Sequence, residues 1–134
     1  MTLYVLDTNI VSLIIRRDTV VQSQYRNIIQ HDDIVIRCPM VWYEVQRWLL
    51  TKGATAQLAR FRALFSTFEW QDYTREDWSL ASTWWAQHRK SGKPIADADL
   101  LIAVFAHNRN AILVSDNVKD FVGLGVTVEN WKET

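Results

Sequence analysis

Residues 4–9 read Tyr-Val-Leu-Asp-Thr-Asn, a short apolar run that ends directly in an acid and two small polar residues. The apolar residues predict a buried β-strand over residues 2–6. Asp7 would then lie at the carboxyl end of this strand, the edge at which α/β proteins place their chemistry. The question for the rest of the chain is whether other carboxylates reach the same edge.

Helix-like and strand-like segments alternate along the remainder of the chain. Apolar periodicity and the flanking Gly, Pro and Asx residues predict helices at 9–16, 20–29, 40–50, 56–65, 74–90 and 97–108. The predicted strands lie at 2–6, 34–36, 111–114 and 126–128, with a less regular further segment at 68–73. Strands that alternate with helices predict the α/β class, with a parallel sheet covered on both faces.

Length and composition predict a single domain over residues 1–134. A chain of 134 residues buries about two thirds of its unfolded surface and is too short for two ordinary domains. Its 15 basic and 15 acidic residues cancel, so a polyanion would need a local basic patch or metal ions. The single cysteine, Cys38, excludes an internal disulfide and a thiolate metal cage.

The sequence carries no recognisable targeting or membrane signal. Asp7 interrupts the N-terminal apolar run before it reaches the length of a signal-peptide core. No segment approaches the roughly 20 apolar residues of a membrane span. Together with the single cysteine, these features favour a soluble, cytoplasmic protein without a membrane partner.

A second acid, Glu44, lies on the apolar face of a predicted helix. Val41, Val45 and Trp48 form an i, i+4, i+7 stripe, and Glu44 falls inside it. A buried and unpaired carboxylate costs several kcal/mol, so Glu44 needs a cation, a hydrogen-bond donor or a cavity. The alternative is a boundary glutamate whose head group reaches water.

Two aspartates, Asp97 and Asp99, begin a later predicted helix. Residues i and i+2 of a helix point about 200° apart, so only one of these acids can face a common site. Asp97 is placed to cap the helix N-terminus by accepting hydrogen bonds from free amides. Asp99 shares a face with the small residues Ala103 and Ala106. We therefore predict a structural role for Asp97 and a chemical role for Asp99.

A fourth group of polar residues follows the predicted strand at 111–114. Strand alternation places Ser115 and Asn117 on one side and Asp116 on the other, unless the strand has already ended. The residues leave open whether Asp116 or Asn117 reaches the site. An Asx turn without further function is a third interpretation.

These acids form a ligand set that offers only oxygen atoms. The predicted metal ligands are Asp7, Glu44 and Asp99, with Asp116 as a fourth if it, rather than Asn117, reaches the site. Carboxylate oxygens without histidine or cysteine suit Mg²⁺ or Mn²⁺ rather than zinc. Such ions keep several waters and commonly act on phosphates.

Four segments resemble the ordered motifs of one family. They are Leu-Asp-Thr-Asn-Ile (6–10), Trp-Tyr-Glu-Val (42–45), Asp-Leu-Leu-Ile-Ala (99–103) and Leu-Val-Ser-Asp-Asn-Val-Lys-Asp-Phe (113–121). Their order and spacing are similar to those of PIN-domain ribonucleases, and within them to the VapC toxins of bacterial toxin–antitoxin pairs. The resemblance implies a three-layer α/β/α sandwich with a central parallel sheet and Mg²⁺- or Mn²⁺-dependent endoribonuclease activity.

The resemblance also implies roles for individual residues. The catalytic positions of the family fall on Asp7, Glu44, Asp99 and Asn117. An asparagine at the fourth position departs from the all-acid version of the motif, and Asp116 is the residue that would compensate. Ser115 matches the hydroxyl that the family places near the site, and Asn9 matches the asparagine after the first acid.

Local basic residues are candidates for binding the RNA backbone. They are Arg16, Arg17, Arg47, Lys90 and Lys93. The ordinary alternative for each is a solvated surface charge. Unstacked bases of single-stranded or looped RNA could lie on Trp42 or Tyr43, which could equally be core or dimer contacts.

Two protein partners are implied by the resemblance alone: a cognate antitoxin of the VapB kind and a second copy of the chain in a homodimer. An antitoxin segment would lie in an apolar groove and cap the acidic site with a basic side chain. The helices that carry Trp42, Trp48, Phe61 and Phe65 could form this groove, or these side chains could belong to the core.

Two further functions are consistent with parts of the sequence. A non-catalytic PIN-like module that binds RNA or protein would share the fold, although the complete set of Asp7, Glu44 and Asp99 argues against it. A receiver-like phosphoacceptor domain would need an acidic pair after the first strand, whereas Asp7 stands alone. Nucleotide-binding folds are excluded because no glycine-rich phosphate loop is present.

Overall fold

The computed structural model describes residues 1–132 and contains a five-stranded sheet. The strands are β1 Leu3–Leu6, β2 Ile34–Arg37, β3 Glu69–Trp70, β4 Ile112–Val114 and β5 Val128–Glu129. They pair in the order β3-β2-β1-β4-β5, and every pair is parallel. The predicted parallel sheet is therefore confirmed. Residues 133 and 134 lie outside the described residues, and the single domain over 1–134 stays a prediction.

Within the described residues, six α-helices accompany the sheet. They are α1 Thr8–Ile15, α2 Thr19–Gln30, α3 Pro39–Lys52, α4 Thr55–Ser66, α5 Arg75–Lys90 and α6 Asp97–Asn108. A 3-10 helix, Val118–Phe121, follows β4. All six predicted helices are present, with ends that differ by at most two residues. No helix in this part of the chain is long and apolar enough to cross a membrane.

The strand order distributes the helices over two faces of the sheet. From β1 the chain moves outward through β2 to β3, and then returns to the opposite side of β1 as β4. Right-handed crossovers place α1 to α4 on one face and α5 and α6 on the other, giving the expected three-layer α/β/α sandwich. The strand order reverses between β1 and β4. Their carboxyl ends therefore border the switch point at which such sheets bind ligands.

The centre of the core fixes the strands that lead into this switch point. Val5 of β1 and Leu113 of β4 are fully buried, as are Ile10, Phe61 and Phe105 from the surrounding helices. Burying a large apolar side chain stabilises the fold by about 1.5–3 kcal/mol. Phe61 therefore belongs to the core, which rules out the alternative in which it lines a groove.

A buried ion pair joins the start of α5 to the end of α6. Thr74 and Asp77 form a capping box, in which the Thr74 N–H donates to Asp77 Oδ2 at 2.8 Å and the Asp77 N–H donates to Thr74 Oγ1 at 3.3 Å. Arg109 donates to both Asp77 oxygens, at 3.0 and 2.9 Å, and Asn108 donates to Oδ1 at 2.8 Å. Asp77 is fully buried. This network fixes the relative position of the two helices on the second face.

Candidate active site

Asp7 lies at the carboxyl end of β1, as predicted, and begins helix α1. Its backbone N–H donates to the carbonyl of Val114 in β4 at 2.8 Å, so the two central strands are joined at this point. Asp7 Oδ1 accepts from the Thr8 N–H at 2.8 Å, and Oδ2 accepts from the Ser115 hydroxyl at 2.7 Å. With 5% of its surface exposed, Asp7 is held by both strand ends.

The pKa of the Asp7 carboxyl is raised from its ordinary value of 3.8 to about 6. Burial is the main cause, and the charges of Asp99 and Glu44 add to it. The hydrogen bonds from Ser115 and Thr8 act in the opposite direction and do not compensate. Three carboxylates thus act on one another at the switch point, where a cation would relieve both the burial and the repulsion.

Glu44 reaches this region from α3 and is paired through both oxygens. Its Oε1 accepts from the Thr8 hydroxyl at 2.8 Å, and its Oε2 lies 3.7 Å from Nη2 of Arg47. The side chain keeps 17% of its surface exposed. Glu44 is therefore neither an unpaired buried charge nor a freely solvated one.

The predicted apolar stripe around Glu44 is wrong at one position. Val41 and Val45 are buried as expected, but Trp48 is 56% exposed and Leu49 takes the third buried place. The face that packs against the core follows positions i, i+4 and i+8 here. Trp48 consequently points outward, next to the candidate site rather than into the core.

Asp99 and Asp97 differ in exposure, as the helical geometry predicted. Asp99, in the first turn of α6, is half-buried, and its pKa is raised by burial and then by the charges of Asp120 and Glu44. Asp97 is exposed. The prediction that Asp97 caps the helix is wrong, because the N-cap is Ala96 and no side chain there accepts a hydrogen bond. Asp97 is already the first helical residue.

Asp120 is the acid that sequence reasoning missed. It lies in the 3-10 helix after β4, and its charge acts on Asp99. The sequence signal is the neighbouring Phe121, an apolar residue in a polar loop that is 97% buried and anchors the short helix.

The sequence left open whether Asp116 or Asn117 takes the fourth position of the site. In the structure, both residues contact the site through their backbone N–H groups. The Asp116 N–H donates to Asn9 Oδ1 at 3.4 Å, and the Asn117 N–H donates to Ser115 Oγ at 3.0 Å. The Asn117 side chain is exposed. The charges that raise the pKa of Asp7 and Asp99 come from Glu44, Asp99 and Asp120. The metal and catalytic roles of Asp116 and Asn117 remain predictions.

The donor chemistry of the site fits a hard divalent cation. Asp7, Glu44, Asp99 and Asp120 supply only oxygen atoms, which Mg²⁺ and Mn²⁺ prefer. Within residues 1–132, no three acidic, histidine or cysteine side chains are already arranged around a common metal position. Glu44 in particular is turned toward Thr8 and Arg47. Metal binding would therefore require these side chains to converge.

Two clefts lie beside residues of the candidate site. The first, which we call the Asp99 cleft, has a volume of about 800 Å³ and is lined by Asp99, Asp120, Lys93, Lys119 and His88 among others. The second, the Thr8 cleft, has a volume of about 240 Å³ and is lined by Thr8, Arg16, Trp48, Lys52 and apolar residues of α1 and α3. Each cleft thus contains part of the candidate site together with basic side chains.

The predicted RNA-binding residues are distributed unevenly around these clefts. Lys93 lines the Asp99 cleft, and Arg16 lines the Thr8 cleft. Arg47 contacts Glu44 and stacks 4.9 Å from the Tyr43 ring centre. Arg17 and Lys90 are exposed and line neither cleft.

The aromatic residues predicted to bind RNA bases or an antitoxin also divide into exposed and buried ones. Tyr43 is 51% exposed, whereas Trp42 is half-buried and packs against the core. Phe65, like Phe61, is a core residue, so only Trp48 of the four proposed groove residues lines a cleft.

Comparison with known proteins places this fold and site in a family context. The chain is 28% identical over 121 residues to ribonuclease VapC1 of Haemophilus influenzae (strain R2866), which is 89% of this chain and 90% of the relative. Its structure is similar to VapBC2 from Rickettsia felis bound to a DNA fragment from their promoter, with a TM-score of 0.86, 24% identity, and coverage of 97% of this chain and 99% of that one. VapBC-1 from nontypeable Haemophilus influenzae gives a TM-score of 0.79 and 23% identity over 98% and 100% of the two chains.

The family itself is identified from the sequence. Residues 4–122 match the family described as PIN domain. The match extends from β1 to the 3-10 helix after β4, and therefore includes every acid of the candidate site. The chain belongs to the PIN domain family.

Proposed function

We propose that this chain is a divalent-metal-dependent endoribonuclease and the toxin of a toxin–antitoxin pair. Membership of the PIN domain family supports the nuclease fold. Similarity to a named ribonuclease over about nine tenths of both chains supports RNA as the substrate. The cytoplasm is the proposed location, because both the RNA and the antitoxin would be found there.

The observation that carries this proposal is the state of Asp7. A buried aspartate whose pKa is raised to about 6, facing Glu44 and Asp99, is costly for stability. Perturbed acids that cluster at the switch point of an α/β sheet are typical of functional sites. Asp7 also caps α1 by accepting from the Thr8 N–H, but this role alone does not require the neighbouring charges of Glu44 and Asp99.

Asp7, Glu44 and Asp99 are the proposed metal ligands, with Asp120 as a fourth acid beside Asp99. A bound Mg²⁺ or Mn²⁺ would supply a water of lowered pKa and a Lewis acid for the phosphoryl oxygen. The hydroxyl of Ser115 and the N–H of Thr8 orient the two oxygens of Asp7. The proton that leaves the attacking water would end on the leaving oxygen as its P–O bond breaks, so that one water is divided between the two products.

The histidines are not required in this mechanism. His31 contacts the carbonyl of Asn27, and His107 contacts that of Gly125, so both are engaged with backbone carbonyls. His88 lines the Asp99 cleft, but its Nδ1 lies 3.3 Å from the carbonyl of Lys93. Metal-activated water therefore remains the proposed nucleophile.

The proposed protein partners are an antitoxin and a second copy of the chain. An antitoxin segment that carries a basic side chain would neutralise the repulsion among Asp7, Glu44 and Asp99 without a metal. The Thr8 cleft combines apolar walls with access to Glu44 through Thr8, which suits such a segment. The homodimer is proposed from the family resemblance.

RNA cleavage by the purified chain tests the proposal. Wild-type protein is expected to cut single-stranded RNA internally with Mg²⁺ or Mn²⁺, and to stop when EDTA is added. Asp7→Asn is expected to lower the rate by more than about 100-fold. Mutations of residues that only orient a metal ligand lower activity by up to about 100-fold, and Asp7 is itself a proposed ligand. Asp97→Asn is the matched control, because this exposed acid starts the same helix as Asp99.

Two results would contradict the proposal in different ways. Cleavage that survives both EDTA and Asp7→Asn would exclude a metal-dependent site at this position. RNA binding without any cleavage, in the presence of either ion, would favour the non-catalytic module instead.

A further inference from the structure

The Asp99 cleft differs from the Thr8 cleft in the charge of its walls. Two acids of the candidate site, Asp99 and Asp120, line it directly, whereas no acid lines the Thr8 cleft. Two lysines, Lys93 and Lys119, line the same cleft. A cleft that carries both acids and ammonium groups offers places for a bound cation and for neighbouring anions.

Neither lysine is neutralised by a carboxylate of the described chain. Within residues 1–132, the ion pairs are formed by Arg47, Arg109 and Lys132, and no acidic oxygen lies within 4.0 Å of the Lys93 or Lys119 ammonium. Both lysines are exposed. Their charges are therefore available to an anion that enters the cleft.

The backbone that carries the two lysines is held in place by the turns around it. Lys93 follows Gly92, whose φ of 75° is the left-handed conformation that glycine adopts readily. The loop after Lys119 contains Gly123, where an added Cβ would lie 3.6 Å from Cε1 of His88. His88 lies near both segments, with its Nδ1 3.3 Å from the carbonyl of Lys93. The lysines stand on two different segments of the cleft wall.

An RNA strand that passes a site of carboxylates needs cationic side chains beside those carboxylates. The chain has no net charge, so phosphates gain nothing from a global field. The carboxylates with their cation would bind the phosphate that is cleaved, but the adjoining phosphates would still be repelled by Asp99 and Asp120. Unpaired ammonium groups next to these acids remove that repulsion, and phosphate contacts fix the register of a strand without reading its sequence.

We infer that the Asp99 cleft is the path of the RNA strand, and that Lys93 and Lys119 bind the phosphates adjoining the one that is cleaved. This inference rests on the proposed ribonuclease function. The Thr8 cleft is less suited to a strand that must pass the reacting acids, because none of the acids of the candidate site lines it. Lys119 was not among the RNA-binding residues predicted from the sequence, and the structure gives it a role in binding substrate.

Equilibrium binding tests the inference separately from cleavage. A fluorescein-labelled single-stranded RNA is titrated with protein carrying Asp7→Asn, which is not expected to cut it, in Mg²⁺ over a range of KCl concentrations. Lys93→Ala and Lys119→Ala are each expected to weaken binding about fivefold and to reduce the slope of log K against log[salt] by about 0.7, the value for one phosphate contact on a single strand. Lys119→Arg is expected to restore most of the affinity.

Lys90→Ala and Lys52→Ala are the matched controls. Lys90 is an exposed lysine three residues before Lys93 that does not line the cleft, and Lys52 lines the Thr8 cleft. Both are expected to leave the affinity and the salt slope unchanged. Thermal unfolding of each variant confirms that the fold is retained, since all four lysines are at least partly exposed.

The outcomes separate the inference from the proposed function. Unchanged affinity and slope in Lys93→Ala and Lys119→Ala, with normal cleavage by the wild type, would overturn the inference and leave the ribonuclease intact. A larger loss in Lys52→Ala would move the strand to the Thr8 cleft and would also overturn it. The expected binding pattern without any cleavage by the wild type would support the strand path and refute the hydrolytic function.

Discussion

The Ser115 hydroxyl donates a 2.7 Å hydrogen bond to Oδ2 of Asp7, across 108 positions of sequence. Ser115 is fully buried at the end of β4, and Asp7 is buried at the end of β1. The bond therefore connects the two strands at the point where the order of the sheet reverses. It orients the carboxylate on which the proposed chemistry depends.

Ser115→Ala should lower RNA cleavage by about 10- to 100-fold, the range for residues that orient a metal ligand. The variant should also lose about 1 kcal/mol of unfolding free energy, because a buried hydrogen bond is removed. Cleavage rates and urea unfolding measure the two effects. The matched control is Ser82→Ala, which deletes a hydroxyl that donates to the carbonyl of Trp78 on an exposed part of α5. Equal activity losses in both variants would exclude an orienting role for Ser115.

Asp7→Asn should stabilise the metal-free protein at neutral pH. The folded-state pKa of Asp7 is raised from 3.8 to about 6, so the folded state holds more protons than the unfolded state between these values. The unfolding free energy of the wild type should consequently fall as the pH rises through this window. A shift of about two pKa units corresponds to about 3 kcal/mol of unfolding free energy. Asp7→Asn should recover only part of this, because the asparagine amide accepts the hydrogen bonds from Thr8 and Ser115 less well than the carboxylate does.

Urea unfolding in EDTA, from pH 4 to pH 8, measures this effect. Asp97→Asn serves as the control, because an exposed acid of the same kind should not change the pH profile. The assignment of the raised pKa to Asp7 fails if the Asp7→Asn variant keeps the wild-type fall in stability between pH 4 and pH 6.

Asp120→Asn should weaken metal binding, and Asp116→Asn should not. The reason is that the charge of Asp120 acts on Asp99, whereas Asp116 donates its backbone N–H to Asn9 Oδ1. A ligand that binds only the folded state raises the unfolding temperature according to its affinity. The Mg²⁺ concentration needed for half of this rise should increase about tenfold in Asp120→Asn. The reverse pattern would restore Asp116 as the fourth ligand.

The sequence predicted the position of Asp7 because one local rule was sufficient. An apolar run that ends in an acid places that acid at the carboxyl edge of a parallel sheet, whatever the rest of the chain does. The split between Asp97 and Asp99 was predictable for a similar reason, since helical geometry alone separates residues two positions apart. Both predictions concern side-chain direction within one element.

The predictions that were wrong or incomplete depend on the exact residue at which a helix begins and on which side chains it packs against. Asp97 is not the N-cap because α6 starts one residue earlier than an aspartate cap would require, and a sequence seldom fixes an end to one residue. Trp48 is exposed because Leu49 competes for the same contact with the core. Asp120 was missed because its position beside Asp99 in one cleft depends on a 3-10 helix that the buried Phe121 anchors.

Asp77→Asn should destabilise the protein strongly at neutral pH and progressively less in acid. Burial alone would raise the pKa of Asp77, but hydrogen bonds from Arg109, Thr74 and Asn108 outweigh it and lower the pKa below its usual value of 3.8. An acid with a lowered folded-state pKa contributes stability above its unfolded pKa, and this contribution is lost as the pH falls through the folded value. Removing the charge leaves Arg109 buried without its partner, which costs about 3–5 kcal/mol.

Urea unfolding of the wild type and of Asp77→Asn from pH 7 down to pH 2 measures this dependence. The two stabilities should differ most above pH 4 and converge below it, as the wild-type carboxyl also becomes neutral. Glu76→Gln is the control, because this acid lies in the same first turn of α5 but is exposed, so its charge is screened by solvent. A constant difference between the wild type and Asp77→Asn across the whole range would mean that Asp77 stabilises the helix pair through its shape and hydrogen bonds, and not through its charge.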